Sequence, residues 1–330
     1  MSAALDICRR HRAKDDARAA VEVAVTVAGL VVAWVVAASL AVKGAVEFVV
    51  VADVFVAVFL MRLFVLQHDA GHGALFSTRG RNDVFGVLAC IPLLVPYLEW
   101  RKSHAIHHKI SSQLEHRIFP DIYTVTVAEY ASFSVLKKIA YRVFRNPLVL
   151  FGVVPVYFFF VSCRIKGSMC PTLPRGANLR NLWLTTTGAL ALYAGLAAVV
   201  GIERMLLVFL PAQVMAGAVG FWLFYVQHQM EHTYWAKDDV WSYEEAGLRG
   251  ASYFDLSRPL AWATAWIGFH HVHHLDPLVP CYRLRAAHEE LVAAGLFTAP
   301  PVTLVAGLRS TTLALWDEER GLLVGFERRR

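Results

Sequence analysis

An unbroken apolar run covers residues 21–42, and at about 1.5 Å per helical residue it can cross about 30 Å of hydrocarbon. A tight turn at 43–47 leads into a second run at 48–66, so the pair predicts a helical hairpin through a bilayer. A second hairpin is predicted from 182–200 and 206–226, joined by the turn 201–205. Two shorter apolar runs lie between the hairpins. Residues 84–98 are broken by Pro92 and Pro96, and residues 148–161 by Pro155, so each is read as a re-entrant or interfacial segment. Polar, basic sequence fills 109–146, a partly apolar segment covers 260–269, and amphipathic cytosolic helices are expected from Tyr282 onward. The pattern predicts an all-α integral membrane protein with four spans, interfacial helices and a cytosolic helical cap. Its expected divisions are a cytosolic segment 1–20, a membrane domain 21–290 and a cytosolic helical tail 291–330.

Composition supports this reading. Hydrophobic residues make up 57% of the 330 and mean hydropathy is +0.46, values that argue against ordinary soluble domains. The net charge of +6 would suggest nucleic acid in a soluble chain. Here the two outer turns hold only Lys43 and Arg204 as cations, and nearly all other Lys and Arg fall on the inner side. That asymmetry predicts a cytoplasmic face for the loops and both termini, in a bacterial inner membrane, with no nucleic-acid partner. Arg9, Arg10, Arg12, Lys14 and Arg18 precede a run too long for a cleaved leader, so residues 21–42 are read as an uncleaved signal anchor. The tail Glu327-Arg328-Arg329-Arg330 is placed to touch anionic headgroups. Cys8, Cys90, Cys163, Cys170 and Cys281 are odd in number and unpaired in spacing, which fits a reduced setting.

Histidine carries the chemistry. His270, His273 and His274 stand at i, i+3 and i+4 and share a helical face; His104, His107 and His108 repeat that spacing, and His68/His72 and His228/His232 are i, i+4 pairs. Ten of the fourteen histidines therefore lie in four clusters, each beside an apolar run. Imidazole suits iron, zinc, copper and nickel alike. A zinc site takes three or four ligands, however, so this many histidines converging at one membrane face match two metals. There is no CxxC pair and no HExxH motif. A paired iron centre that activates dioxygen uses every cluster.

These stretches resemble the membrane fatty acid desaturases of the FADS-like superfamily. His68-Asp69-Ala70-Gly71-His72, His104-Ala105-Ile106-His107-His108 and His270-His271-Val272-His273-His274 look like the three histidine boxes of that family. Trp100-Arg101, Asp121-Ile122-Tyr123-Thr124 and the run from Tyr225 to Trp235 extend the likeness, which is greatest to bacterial acyl-lipid desaturases of the Δ12 type. The resemblance implies two iron ions held by His68, His72, His104, His107, His108, His270, His273 and His274, with His232 resembling a ninth ligand. His228 stands where the animal acyl-CoA enzymes hold an iron through Asn and water, and it ligates directly or holds a water. Asp69, Glu231, His271 and Asp276 are candidates to orient the ligands. The implied reaction inserts a cis double bond into an acyl chain on a lipid or carrier, using dioxygen and two electrons. With neither a fused haem segment nor a dinucleotide fingerprint, the electrons are expected from a separate ferredoxin-like or cytochrome partner.

Other residues receive blander readings. His116 is read as a solvated loop residue, and His11 and His288 are given no role. Asp53 is expected to reach outer headgroups and Arg62 to snorkel to the inner surface. Ser111-Ser112-Gln113-Leu114-Glu115-His116, Ile118 and Pro120 depart from the usual desaturase pattern near the expected substrate entrance. A hydroxylase or acetylenase on the same scaffold is the nearest alternative; a metal-ion transporter would place its histidines along a transmembrane path.

Overall fold

The computed structural model describes residues 2–117, 121–169 and 175–326, with backbone only for 175–178. Ile118, Pro120, Cys170 and the arginine tail lie outside the described residues.

Helix α1 (Ala3–Arg10) is capped by the Ser2 hydroxyl, which accepts from the Ala4 amide at 3.2 Å. Helices α2 (Asp16–Val42) and α3 (Val46–His72) form the first hairpin, turned at Gly44 with φ of +74°. Because α3 runs on to His72 before ending at the left-handed Gly73, the first histidine pair rides on the end of a span.

Helices α4 (Arg79–Leu93) and α5 (Tyr97–Ile110) meet at 104°, a bend that fits the re-entrant reading of this segment. Pro96 has no N–H, so the Pro92 carbonyl lacks its helical donor, and Gln213 Nε2 supplies one at 2.7 Å. The Tyr97 ring lies where a Cβ on Gly86 would come within 2.3 Å of it, and its hydroxyl donates to the Ala70 carbonyl at 3.0 Å. These contacts aim α5 at the end of α3.

Strand β1 (Val125–Thr126), α6 (Val127–Ser132) and α7 (Val135–Phe144) follow. Exposed Val135, Leu136, Ile139 and Val143 share α7 with Lys137, Lys138 and Arg142, the make-up of a helix lying in a membrane interface. A 56° bend separates it from the next segment, which starts as π-helix and becomes α8 (Val154–Phe160). The second hairpin is α9 (Arg175–Val200) and α10 (Ile202–His228), turned at Gly201 with φ of +88°. Four helices, α2, α3, α9 from Leu179 and α10, are thus long and apolar enough to cross a membrane.

The cap is built from α11 (Tyr243–Arg249), α12 (Arg258–Ala263), α13 (His270–Leu275), α14 (Cys281–Ala293) and α15 (Leu304–Ser310), followed by β2 (Leu315–Asp317) and β3 (Leu322–Val324). The chain is mostly helical as expected, but β2 pairs parallel with β1 and antiparallel with β3, so the last described segment carries strands as well as helix. Its core under the cap includes Leu66, Val226, Phe254, Val272, Leu275 and Leu284.

Two charged residues depart from expectation. Arg62 does not snorkel: it is fully buried, donating to Thr26 Oγ1 at 3.0 Å, to Glu22 and to the Trp262 carbonyl, with its guanidinium 4.1 Å from the Trp262 ring centre. Glu22 reaches it from α2, and planar guanidinium recognition wins over solvation at the surface. Asp53 does not reach a headgroup layer; it is buried, and neither carboxylate oxygen has a partner among the described residues. Replacing Arg62 with Ala breaks its bonds to Thr26, Glu22 and the Trp262 carbonyl and should cost about 3–5 kcal/mol, read by thermal unfolding in detergent. An unchanged melting temperature would show that the network is not structural.

Candidate metal centre

The histidine clusters fold into two adjoining nests. His68, His72, His104, His108 and His273 form one; His107, His228, His270 and His274 form the other; within each, one ligand atom per residue lies within 4.8 Å of all the rest. Helical periodicity makes the division. On α5, His104 and His108 at i, i+4 face the first nest while His107 turns to the second; on α13, His270 and His274 face the second and His273 turns to the first. The end of α3 completes the first nest and the end of α10 the second.

The Nε2 atoms point at one another. His68 to His104 is 2.8 Å, His104 to His108 3.0 Å, His108 to His273 3.0 Å, His228 to His270 3.0 Å and His107 to His274 3.3 Å. His72 Nε2 is buried with no hydrogen-bond partner. A neutral imidazole has one N–H and one lone pair, so five mutually facing nitrogens cannot all be satisfied by one another. A cation at each centre satisfies them together, and the nests therefore fit two metal ions.

Burial and neighbouring imidazoles hold His104, His108, His270, His273 and His274 well below the ordinary imidazole range, so they are neutral and able to ligate at neutral pH. The outer ring nitrogens show how the tautomers are set. His107 Nδ1 bonds Asp121, and His228 Nδ1 donates to the Gly250 carbonyl at 3.1 Å, leaving both Nε2 atoms for metal. Trp100 stacks on His104 with centroids 4.7 Å apart.

The remaining candidates separate. His232 is exposed, one turn past the end of α10, and His228 alone of that pair enters a nest. The expectation for His232 is thereby corrected: α10 stops at His228 and Gln229 leaves helical geometry, so the i, i+4 face does not extend to it. Asp69 Oδ1 lies 3.5 Å from His68 Nδ1, beyond good hydrogen-bond length, while its Oδ2 accepts from the Cys281 amide at 2.6 Å and ties α3 to α14. Asp276 accepts from Arg12 Nε at 2.5 Å and orients no imidazole; Glu231 is exposed. His271 turns away from both nests, stacks on Phe297 at 3.9 Å and meets His288 Nδ1 at 3.0 Å, which gives His288 a packing role. His116 pairs with Asp238 at 3.1 Å on the surface, and His11 with Glu290 at 2.7 Å. Asp121 lies fourteen residues from its imidazole along the chain, so no local spacing marks it as an orienting group.

An apolar cavity of about 170 Å³ runs from the nests between α3, α5, α8 and α10, with His68, His104 and His270 in its wall and Leu60, Phe64 and Phe221 further along. A membrane-embedded helical protein with two all-histidine nests able to hold metal beside an apolar cavity is thereby defined. The fatty acid desaturase family profile matches residues 45–303. A "Fatty acid desaturase" of Bacillus subtilis is 40% identical over 276 residues, covering 83% of this chain and 76% of that protein. The "sn-1 acyl-lipid omega-3 desaturase (ferredoxin)" of Synechocystis is 29% identical, covering 69% of this chain and 63% of the relative. For the "sn-2 acyl-lipid omega-3 desaturase (ferredoxin), chloroplastic" of Helianthus annuus the identity is 29% and the shares are 69% and 52%, so this chain spans only about half of that relative. The chain belongs to the fatty acid desaturase family and is an oxidoreductase of that family.

His228→Ala should lower bound metal, measured by elemental analysis of the purified protein, whereas His232→Ala should leave it unchanged. The reverse result would return the ninth position to His232. Asp121→Ala should weaken metal binding about 10- to 100-fold. Acid should act on stability: with folded imidazoles held below the unfolded value of about 6.5, the unfolded chain takes up more protons, so stability is full above that pH and is lost as pH falls below it. Melting temperature should begin to fall as pH drops below about 6.5 while bound metal holds to lower pH; metal released already as pH passes through about 6.5 would contradict the neutral-ligand assignment.

Proposed function

We propose that this chain is an oxygen-dependent fatty acyl desaturase that holds two irons in its histidine nests and inserts a cis double bond into the acyl chain of a membrane lipid. The observation that carries the reading is the convergence of nine imidazoles on two centres in the wall of an apolar cavity. The first nest has one histidine more than the three or four ligands of a zinc site, and both nests are all nitrogen, which favours iron over the hard, oxygen-seeking cations. Two irons held there by the nine histidines would supply the two-electron activation of dioxygen that removal of hydrogens from unactivated methylenes requires.

The chain's own residues do the rest. Leu60, Phe64, Phe158, Phe159 and Phe221 line a narrow apolar path that excludes water and limits an acyl chain to few conformations. Gln227, whose amide donates to the Ile267 carbonyl at 3.1 Å, has its polar group tied off where it borders that path. His68, His104 and His270 bring the metal centres to the path's wall, so one methylene pair is presented while the rest of the chain is held. The nests lie at the ends of α3 and α10, not along a route across the membrane, which counts against ion transport. We place the nests on the cytoplasmic side of a bacterial inner membrane, supported by the cation-poor turns at Lys43 and Arg204. The electron donor is proposed to be a separate ferredoxin-like protein, as the names of the cyanobacterial and sunflower relatives suggest.

Expression in a host making saturated lipids, followed by mass spectrometry of its acyl chains, should show loss of two hydrogens and no added oxygen. His107→Ala and His273→Ala should abolish the product and lower bound iron together. Full activity from iron-depleted protein would end the proposal. Donor-dependent turnover should weaken as ionic strength rises.

A further inference from the structure

A second and much larger cavity lies on the other side of the second nest. It is an open cleft of about 1460 Å³ between α11, α15, the loop before α15 and the β2–β3 hairpin. The desaturase reading assigns it nothing, and its volume exceeds the roughly 300–1,000 Å³ of small-molecule sites.

Three observations characterise it. The first is depth. Gly307 of α15 packs so tightly on α10 that a Cβ there would lie 2.8 Å from Val226 and 3.3 Å from Trp222, which sets α15 level with the last two turns of a membrane span. Leu304, Val305 and Leu308 on the same helix are 48%, 58% and 56% exposed. Three large apolar side chains open to water on a seven-residue helix are explained when that helix rests in the bilayer interface, and Val305 is also in the cleft wall.

The second is charge. Arg309, next to Leu308 on α15, and Arg320, on the β2–β3 turn, both border the cleft and are exposed, and neither has a carboxylate partner among the described residues. Of the acids around them, Glu245 is paired with Arg249 at 3.2 Å, and Asp317 accepts from the Glu319 and Arg320 amides, each at 3.2 Å. Glu231 remains as an exposed acid in the wall. Two free guanidiniums and one free carboxylate suit a phosphodiester carrying a hydroxylated or amine headgroup.

The third is position. The Ser252 amide donates to the Gln227 carbonyl at 2.9 Å; Ser252 borders the cleft and Gln227 the acyl cavity, so the two spaces are back to back across one residue pair. Ser252 Oγ is buried with no partner, a free hydroxyl in the cleft's inner wall.

We infer that this cleft is a phospholipid headgroup site beside the acyl cavity: it binds the phosphodiester of a glycerophospholipid from the adjoining leaflet through Arg309 and Arg320. The inference rests on the desaturase reading, but its test does not require turnover. The purified full-length protein is titrated calorimetrically with dioctanoyl phosphatidylglycerol, with dioctanoylglycerol, which lacks the phosphate, and with glycerol phosphate, which lacks the chains. The phospholipid should bind saturably, and R309Q/R320Q should weaken it at least about tenfold, while R309K/R320K, which keeps both charges but loses the planar fork, should fall between the wild type and the glutamine variant. Metal content and melting temperature, read on every variant, report folding. Unchanged affinity in the glutamine variant overturns the inference, as does a loss of affinity equal in the lysine and glutamine variants. Equal binding of dioctanoylglycerol would show that the phosphate is not read, and equal binding of glycerol phosphate that the site takes a soluble phosphate. Desaturation by the wild type with unaltered lipid binding in R309Q/R320Q removes this site alone; lipid binding without any desaturated product removes the reaction and leaves the site.

Discussion

Nine imidazole nitrogens directed at two points inside a protein is an arrangement that no core would adopt for its own stability. Each buried ring gives up hydration, and lone pairs that face one another at about 3 Å repel until a cation stands between them. Much of the rest of the chain can be understood as the apparatus that holds this unfavourable group together. It does so with elements whose own stability comes from elsewhere, chiefly from two long apolar hairpins, and the rings are carried on their ends.

Rigid delivery matters because metal nests tolerate little error in ligand position. The first nest is assembled from α3, α5 and α13, the second from α5, α10 and α13, so α5 and α13 each serve both. Sharing two helices fixes the separation of the centres through covalent helix geometry and not through loop packing. The Tyr97 hydroxyl on the Ala70 carbonyl and the Cys281 amide on Asp69 then lock α5 and α14 to the end of α3. Asp69 is thus more important as a brace between segments than as a partner of the imidazole beside it.

What could be read from sequence follows from how local each signal is. Spans and histidine boxes declare themselves within a few helical turns, because hydropathy and the i, i+3, i+4 spacing are properties of consecutive residues. The choice between His228 and His232 depended on where α10 ends, and a helix boundary is the least certain feature of any periodic pattern. Asp121 and Gly250 reach their imidazoles only through folding, and the β1–β2 pairing joins Val125 to Leu315 across most of the chain, so neither leaves a local trace. Arg62 looked like a snorkelling cation because its distance from the span's end allowed it; its partners Glu22 and Trp262 lie forty residues before and two hundred after it.

That last network bears on the third box. Ala265 and Trp266, just before α13, are both in the left-handed region with φ of 45° and 63°, which costs side-chain-bearing residues about 1–3 kcal/mol each. Such a turn persists only when its flanks are held. On one side Arg62 grips the Trp262 carbonyl and stacks on its ring; on the other the Phe254 amide bonds the Gly268 carbonyl at 2.8 Å, where a Cβ on Gly268 would collide with the Phe254 carbonyl at 2.6 Å. Between these two clamps the chain has only a few residues in which to reverse, and the strained pair is the short way round. The buried guanidinium in the membrane therefore does more than hold α2 to α3: it fixes the direction from which α13 enters, and with it the register of His270, His273 and His274 over the two nests.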